Sequence, residues 1–445
     1  MTIQPPLSFP KIIHFLEANI ATGGQLFPGK AGLKRMQLLM ANLDNPQETY
    51  QTIHIAGTSG KGSTATIISS LLMANGYHTG LTISPHLWEI RERIQLNNQF
   101  ISEKEFIKIF QKITPAINKT AQGPFGHPSY FEMLLAMAFQ YFSDQKVDYA
   151  IIETGLGGLL DGTNVIKNKN KISVITKIGK DHTQILGNTL AKITKHKAGI
   201  INSASQVFTL KQNPTVNQVL IHSAKIFHAK IQFIDPSNIN KINIQNDLSS
   251  FQLKQPILEI SDITTNMVGK HQAENILLAL SVLDYLKSRD HLNLNSRIIL
   301  KQLRQIHFPG RFEIQTTSNG KIICDGAHNP QKMSALVRTL QNYSKEQYHF
   351  LVAIKNGKDY QKILLKIFPL AKSIIFTEFS LGQENNHGSW SATKLVEFCQ
   401  KSNYKNCIAI QNQALALKEL QAKSGLKVIT GSLYLIGAIT RILLL

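Results

Sequence analysis

Cysteine is scarce in this chain, with only three among 445 residues: Cys324, Cys399 and Cys407. The number is odd and no pair has the CxxC spacing, so the sequence indicates neither a disulfide framework nor a zinc site. We expect three ordinary buried thiols.

Long apolar runs are also lacking. The longest, residues 434–445, contains Arg441 and is shorter than the ~20 residues that a membrane-spanning helix needs. The first residues, MTIQPPLSFP, show no basic segment followed by an apolar one, as a secretory signal peptide would. We therefore expect a cytoplasmic protein without a membrane partner.

Acidic residues are outnumbered: 28 Asp and Glu stand against 48 Lys and Arg, which gives a formal net charge of +20. Such a balance suits a nucleic acid, an anionic membrane surface or an anionic substrate such as ATP. The lysines are scattered and form no dense block with interleaved aromatic residues, so we expect no nucleic-acid partner. A basic nucleotide-binding or nucleic-acid-binding protein remains an alternative that a salt-titrated binding assay would separate.

The length and the order of the segments predict a two-domain α/β protein. Segments with the pattern of a buried strand alternate with segments that have helical spacing, for example 51–56 followed by 64–74. Such repeats predict a parallel sheet covered on both faces. After Pro309 and Gly310 the alternation restarts with shorter strands. The predicted parts are a first domain over 1–303, a linker over 304–311 and a smaller Rossmann-like α/β domain over 312–445.

The segment HIAGTSGKGST, residues 54–64, lies between a predicted strand and a predicted helix. Its three glycines let successive backbone N–H groups converge on a phosphate, and Lys61 adds a full charge to the helix N-terminus. It is not the standard P-loop, because Gly62 separates Lys61 from Ser63. A glycine-rich turn that only tightens a corner is the alternative. We interpret the first domain as a P-loop-type ATPase domain whose phosphate loop comprises Gly57, Thr58, Ser59, Gly60, Lys61, Gly62 and Ser63.

Glu153 ends an apolar strand and is followed by a glycine-rich turn. Ligands of α/β sheets usually bind at that end of the strands, and carboxylate oxygens suit Mg²⁺. We predict that Glu153 is a magnesium ligand; an N-cap or surface carboxylate is the alternative.

The loop residues GTSGKGS resemble those of the Mur ligase superfamily and, within it, the folylpolyglutamate synthase/dihydrofolate synthase family. Further segments follow in the family's order over nearly the whole chain. They are SPHL at 84–87, ERI at 92–94, FE at 131–132, ETGLGG at 153–158, DH at 181–182, KAGI at 197–200, HQ at 271–272, PGRFE at 309–313, DGAHNP at 325–330 and GSLYL at 431–435.

The resemblance implies an enzyme that adds L-glutamate to dihydropteroate, to (tetrahydro)folate polyglutamates, or to both, releasing ADP and phosphate. A carboxylate acylates poorly, and transfer of the γ-phosphoryl group of ATP would supply a leaving group as an acyl phosphate. The expected partners are ATP, L-glutamate and a pterin or folate, and the family suggests a monomer. A cell-wall Mur ligase is the alternative, although the chain before Gly57 is too short for a separate UDP-binding domain.

The resemblance also implies two Mg²⁺ ions. Ser84 would bind the first and His182 the second, and Lys197 would react with carbon dioxide to give a carbamate oxygen ligand beside Glu153. On the residues alone, Ser84 can equally be a helix cap, His182 a surface residue and Lys197 an ordinary exposed lysine. The predicted catalytic residues are Lys61, Lys197 and His182.

For ATP, the resemblance implies contacts from Asn275, Arg311, Asp325 and His328. Asn275 can pair with an adenine edge, Arg311 with phosphate oxygens, and Asp325 with a ribose hydroxyl. A salt bridge from Arg311 to Glu313 is the alternative. These contacts would place ATP between the domains.

The chain departs from the family's pattern at several positions. Leu159 stands where the family usually has Arg, and His196 stands where KAGI is usually preceded by Glu. Residues 202–209 lack the usual Pro and Gly turn, and 385–392 lack a Pro-Arg-Ala run. These departures put in doubt how substrate and glutamate are held. The turn at 431–432 would bind the glutamate carboxylate, or be a plain strand-to-helix turn.

Overall fold

The computed structural model describes residues 8–20, 28–379 and 388–444. Part of segment 385–392, which lacks the family's Pro-Arg-Ala run, lies outside the described residues. The chain divides into two compact units, and the predicted domain boundaries stay a prediction. The first unit comprises the described residues up to Asn240, Gln252–Ile263 and Ala273–Leu303; the second comprises Lys241–Phe251, Thr264–Gln272 and the described residues from Arg304 onward.

The first unit is built on a sheet in the order β4-β3-β2-β5-β1-β6-β7-β8. Its strands are β1 (Gln51–Ala56), β2 (Thr79–Thr82), β3 (Gln95–Leu96), β4 (Gln99–Phe100), β5 (Tyr149–Glu153), β6 (Ile172–Ile175), β7 (Gln206–Leu210) and β8 (Lys230–Ile234). The six strands from β2 to β8 in this order run parallel, and β3 and β4 add an antiparallel edge. In β5 every residue is buried, as expected for a strand covered on both faces.

Helices pack on this sheet, and α3 contacts β1, β2 and β5. The helices up to residue 305 are α1 (Phe9–Ala18), α2 (Gly29–Ala41), α3 (Lys61–Ala74), α4 (Glu103–Ala121), α5 (Tyr130–Asp144), α6 (Thr183–Leu186), α7 (Leu190–Ala198), α8 (Pro214–Ile226), α9 (Lys270–Arg289) and α10 (Ser296–Gln305). One apolar cluster joins α1, α2, α4 and α5 to β5, and another joins α7 and α8 to β6 and β7.

A separate sheet has the order β11-β10-β9. Its strands are β9 (Ile239–Gln245), β10 (Leu248–Ile257) and β11 (Ile260–Thr265).

The second unit has a smaller sheet in the order β12-β13-β17-β14-β15-β16, parallel except for β12. Its strands are β12 (Glu313–Thr317), β13 (Gly320–Asp325), β14 (Tyr348–Val352), β15 (Ala371–Phe376), β16 (Cys407–Ala409) and β17 (Lys427–Thr430). Its helices are α11 (Pro330–Tyr343), α12 (Tyr360–Ile367), α13 (Ala392–Lys401), α14 (Gln413–Gln421) and α15 (Leu433–Leu444). The predicted α/β class, with a mainly parallel sheet followed by a smaller α/β part, is confirmed.

Two expectations from composition can be compared with the structure. All three cysteines are buried and free, which confirms the expected ordinary thiols. Among the described residues, every helix is too short or too polar to cross a bilayer.

Lys171, directly before β6, is an unusual buried lysine, with 1% of its surface exposed. Its Nζ donates hydrogen bonds to the carbonyl oxygens of Ile200, at 2.7 Å, and Ile166, at 3.3 Å. Burial and the charge of nearby Lys167 lower the pKa of Lys171 to about 7. The amine therefore titrates near neutral pH in the folded protein.

We expect the free energy of unfolding to rise more steeply with pH in the wild type than in Lys171→Met. Above pH 7 the folded amine loses its proton, whereas the unfolded lysine keeps it up to about pH 10.4. The unfolded state therefore binds more protons in this window, and stability increases with pH by at most about 1.4 kcal/mol per unit. Below pH 7 both states are protonated and the contribution is constant.

Urea unfolding between pH 6 and pH 9 measures this difference. Lys225→Met, at an exposed lysine of α8, is the control and should keep the wild-type slope. Ile200 retains a hydrogen bond from the Ser173 hydroxyl in the Lys171 variant. Parallel stability curves for Lys171→Met and the wild type would contradict the depressed pKa.

Candidate active site

The predicted phosphate loop connects β1 to α3. Its first part is held by the chain that follows β6: the backbone N–H groups of Thr58 and Ser59 donate to the carbonyl of Lys177, at 2.9 and 3.1 Å. The Thr58 hydroxyl donates to the carbonyl of Gly179, at 3.0 Å. Helix α3 begins at Lys61, three residues earlier than predicted, so the N–H groups available to a phosphate are those of the first helical turn.

At two positions of the loop, close contacts leave no room for a side chain and explain why the residue is glycine. A Cβ atom on Gly57 would lie 1.8 Å from Oγ1 of Thr176, and one on Gly60 would lie 2.4 Å from Oδ1 of Asn275. Gly60 also has a φ of 92°, which a residue with a side chain rarely adopts. The structure therefore places the predicted ATP residue Asn275, from α9, directly against the loop.

Ser59 has a buried hydroxyl oxygen, Oγ, that makes no hydrogen bond among the described residues. A buried polar atom without a partner is costly in a folded protein. Its position beside Gly60 and Lys61 fits a loop whose last polar groups are satisfied by a bound anion.

Lys61, Glu153 and Ser84 come together at the end of β5. The ammonium of Lys61 lies 3.5 Å from Oε1 of Glu153. The backbone N–H of Ser84 donates to the other oxygen, Oε2, at 2.9 Å. Glu153 is 5% exposed, so it is not the surface carboxylate of the alternative interpretation. Residues 83–89 contain no helix, so Ser84 is not a helix cap.

The loop after Ser84 is organised by two residues that the sequence marked only through the family resemblance. The carboxylate of Glu92 accepts the backbone N–H groups of Leu87, Trp88 and Glu89. The guanidinium of Arg93 donates to Nδ1 of His86, at 2.9 Å. These bonds fix the path of the chain between Ser84 and Glu92.

Lys197 lies inside α7 and is 5% exposed. Its Nζ donates to the carbonyl oxygen of Gly57, at 2.6 Å, so it contacts the start of the phosphate loop. Burial and the charge of Lys61 lower the pKa of Lys197 to about 7, although the charges of Asp181 and Asp161 oppose this shift. The alternative interpretation of Lys197 as an ordinary exposed lysine is wrong.

His182 is placed differently from the other predicted ligands. It is exposed, has a φ of 48° and precedes α6. Its backbone N–H donates to Oδ1 of Asp181, at 3.0 Å. Lys61 and Ser84 both contact Glu153 directly, whereas His182 is assigned to the site by the family resemblance alone. Its role as a metal ligand stays a prediction.

The donor set at Glu153 and Ser84 fits magnesium. Among the described residues, no three His, Cys, Asp or Glu side chains form a cluster that would hold a metal ion. Mg²⁺ is usually bound by one or two carboxylates together with substrate phosphates, rather than by a cage of protein ligands. A buried carboxylate and a hydroxyl residue beside a phosphate loop match this pattern.

Asp325 ends β13 in the second unit and is buried. One carboxylate oxygen accepts the N–H of Phe312 and the other that of Ala327, both at 2.9 Å. Burial raises the pKa of Asp325, and the charge of Arg311 opposes this shift. Asp325 therefore shapes the turn that carries Arg311; its predicted contact with a ribose stays a prediction.

Arg311 precedes Asp325 in the sequence, and His328 follows it. The guanidinium of Arg311 lies over the ring of Phe308, 5.8 Å from its centroid. Glu313, the partner in the alternative interpretation, accepts the N–H of Gly310 at 2.9 Å. Nδ1 of His328 lies 2.8 Å from the carbonyl oxygen of Gly326. Arg311 also lines a pocket of about 200 Å³ within the second unit.

Leu159 and His196, the two residues near Lys197 that differ from the family's pattern, contact each other. The N–H of Leu159 donates to the carbonyl of His196, at 2.7 Å, and the Leu159 side chain is 38% exposed. Burial and the charges of Lys197 and Lys195 lower the pKa of His196. The ring is therefore neutral at pH 7, and no added cation lies beside Lys197 at this position.

Comparisons with known proteins agree over most of the chain. The Mur ligase middle domain matches residues 55–283, and the dihydrofolate synthetase C-terminal domain matches residues 310–442. The dihydrofolate synthase/folylpolyglutamate synthase of Bacillus subtilis is 31% identical over 423 residues, covering 93% of this chain and 95% of that protein. The dihydrofolate synthetase of Saccharomyces cerevisiae is 30% identical, covering 92% and 97%. The Mycobacterium tuberculosis folylpolyglutamate synthase complexed with ADP and AMPPCP has a TM-score of 0.85 at 28% identity, with 98% of each chain covered.

Proposed function

Because the chain belongs to the dihydrofolate synthase/folylpolyglutamate synthase family of Mur-type ligases, we propose that it adds L-glutamate to dihydropteroate, to (tetrahydro)folate polyglutamates, or to both. The chain is an ATP-dependent ligase of folate metabolism. One observation carries the assignment to this site: Lys61, at the first turn of α3, lies 3.5 Å from the buried carboxylate of Glu153. A phosphate-binding loop and a magnesium-type carboxylate thus meet at one end of the sheet.

The loop supports binding of the ATP phosphates. The N–H groups at the start of α3 point their partial positive charge at an anion, and Lys61 adds a full charge. These groups stabilise the negative charge that is redistributed when the γ-phosphoryl group passes to the acceptor carboxylate. The acyl phosphate then reacts with the amine of L-glutamate and releases phosphate.

Magnesium would be held by Ser84 and Glu153 together with phosphate oxygens. When bound, it would neutralise part of the phosphate charge. The second Mg²⁺ ion and its ligand His182 are proposed on the family resemblance, as are the ATP contacts of Asn275, Arg311 and His328. The position of Asn275 against Gly60 supports a nucleotide contact for this residue.

Lys197 is proposed to be a carbamate in the active enzyme. An amine that is neutral near pH 7 adds carbon dioxide and releases one proton, which gives an N-carboxylate with anionic oxygens. The burial of Lys197 and its position beside the phosphate loop, at the carbonyl of Gly57, support this proposal. An ammonium at this position would repel magnesium. A carbamate would instead supply an oxygen ligand beside the phosphate loop.

A product assay tests the proposed function. The purified chain is incubated with ATP, Mg²⁺, L-glutamate and each acceptor in turn: dihydropteroate, a tetrahydrofolate and a UDP-linked muramoyl substrate. We expect a glutamylated pterin or folate product and ADP. A product only with the muramoyl acceptor would favour a cell-wall ligase, and salt-sensitive RNA binding without any product would favour a nucleic-acid-binding protein. A cytoplasmic location and a monomeric state stay predictions.

The acyl phosphate has its own test. With both oxygens of the acceptor carboxylate labelled by ¹⁸O, we expect one label atom in each released inorganic phosphate, because the phosphoryl group leaves with that oxygen. Mass spectrometry of the phosphate measures it, and a reaction without L-glutamate is the control. Label in AMP, or unlabelled phosphate in a reaction that forms product, would exclude this route.

A further inference from the structure

We propose that Asp161, Thr163 and His54 form a buried hydrogen-bonded chain that holds the turn after Glu153, which makes Asp161 a positioning residue for ligation. The inference rests on the proposed function, since it concerns the geometry of the same site. None of the three side chains belongs to the predicted binding or catalytic residues.

Asp161 joins two segments of the chain. It is 3% exposed. Its Oδ2 accepts the N–H of Leu156 at 2.7 Å, and its Oδ1 accepts the N–H of Thr163 at 3.0 Å. The carboxylate therefore fixes the turn that follows β5 to the helical turn at 162–165.

The hydroxyl of Thr163 determines which atoms donate and which accept along these hydrogen bonds. It donates its single proton to Oδ1 of Asp161, at 2.6 Å, so it must accept at its contact with Nε2 of His54, at 2.8 Å. His54 therefore carries its proton on Nε2. Its ring is fully buried, and Nδ1 makes no hydrogen bond among the described residues. Burial and the charges of Lys171 and Lys167 hold the pKa of His54 well below its ordinary value, so the ring stays neutral.

The turn held by Asp161 lies between two residues of the site. It begins directly after the strand of Glu153. At its other end, a Cβ atom on Gly158 would lie 2.8 Å from the carbonyl oxygen of His196 and 3.0 Å from that of Lys197. The turn is therefore packed on the main chain of α7 beside Lys197. A shift of the turn would move Glu153 and Lys197 relative to each other, and displacements near 1 Å can cost about 100-fold in rate.

Thr163→Val tests the chain, because valine has nearly the shape of threonine but no hydroxyl. We expect kcat to fall by about tenfold or more, with KM for ATP changed by less than about twofold. The amide of Leu156 should exchange with deuterium faster, since its acceptor is no longer fixed. Thr163→Ser retains the hydroxyl and should restore both kcat and the slow exchange.

Thr114→Val is the matched control. It also removes a buried hydroxyl, one that donates to the carbonyl of Phe110 within α4 at 2.7 Å. We expect this variant to keep wild-type kcat and wild-type exchange at Leu156. A general loss of stability would affect both valine variants, whereas a positioning role affects only Thr163→Val.

Three outcomes would overturn the inference. They are unchanged kcat in folded Thr163→Val, equal impairment of the Val and Ser variants, and unchanged exchange at Leu156. If Thr163→Val does not fold, the comparison of Thr163→Ser with Asp161→Asn decides, since asparagine has a single acceptor oxygen and cannot accept from Leu156 and Thr163 on two separate oxygens. A wild-type protein that forms no glutamylated product would overturn the proposed function. The exchange data would still decide whether the hydrogen bonds of Asp161, Thr163 and His54 hold the turn.

Discussion

Lys61→Ala is expected to abolish ligation, with kcat reduced by about 1,000-fold or more. The substitution removes the full positive charge at the first turn of α3, where the N–H groups alone would face the phosphates. The fold should persist, because the Lys61 side chain is partly exposed and Glu153 keeps its hydrogen bond from Ser84. Removal of Lys61 also relieves its repulsion of Lys197. Steady-state kinetics and thermal unfolding measure the two effects.

The control is Lys195→Ala, which removes an exposed lysine of α7 near the same site. It should keep most of the activity. Near wild-type turnover of Lys61→Ala at saturating ATP would show that this loop does not bind the transferred phosphate. A large loss of thermal stability would instead mean that the contact with Glu153 is mainly structural.

Lys197→Ala is expected to lose most of the ligase activity and to recover part of it in added acetate. The alanine leaves a space where the proposed carbamate carboxylate would lie, and a small carboxylate can supply similar oxygens. Titration of kcat with acetate measures the recovery. In the wild type, ¹³C-labelled carbon dioxide should give a carbamate resonance that is absent from the variant.

Lys192→Ala serves as the comparison, since Lys192 lies on the same helix but is exposed. It should need no acetate and should keep the carbamate resonance. Full activity of Lys197→Ala would refute the assignment. Loss of activity without any carbamate resonance in the wild type would leave Lys197 as a cation that holds the loop through Gly57.

Local pattern was sufficient for the elements around the phosphate loop. The strand 51–56 is predicted within its observed bounds, because its β-branched and apolar residues have no helical spacing. The start of α3 was missed by three residues, since Lys61, Gly62 and Ser63 carry no apolar periodicity. The position of Asn275 against Gly60 depends on tertiary packing, and only the family resemblance pointed to it.

Burial of polar groups was the main property that the sequence did not reveal. Lys197 stands among Lys192 and Lys195, a pattern typical of a solvated helix face, yet only Lys197 is buried. Helix periodicity does not tell which single lysine faces the loop of another element. The N–H groups that donate to Asp161 and to Asp325 likewise lie in turns whose path is set by long-range contacts.

The two hydrogen bonds from Thr58 and Ser59 to Lys177 have a consequence for how a nucleotide arrives. They fix the first half of the loop through a neighbouring segment rather than through the ligand. A loop that is ordered in advance loses little conformational entropy on association, so more of the contact energy remains as affinity. The nucleotide then binds to a rigid surface, and the first half of the loop does not need to fold around the phosphates during binding.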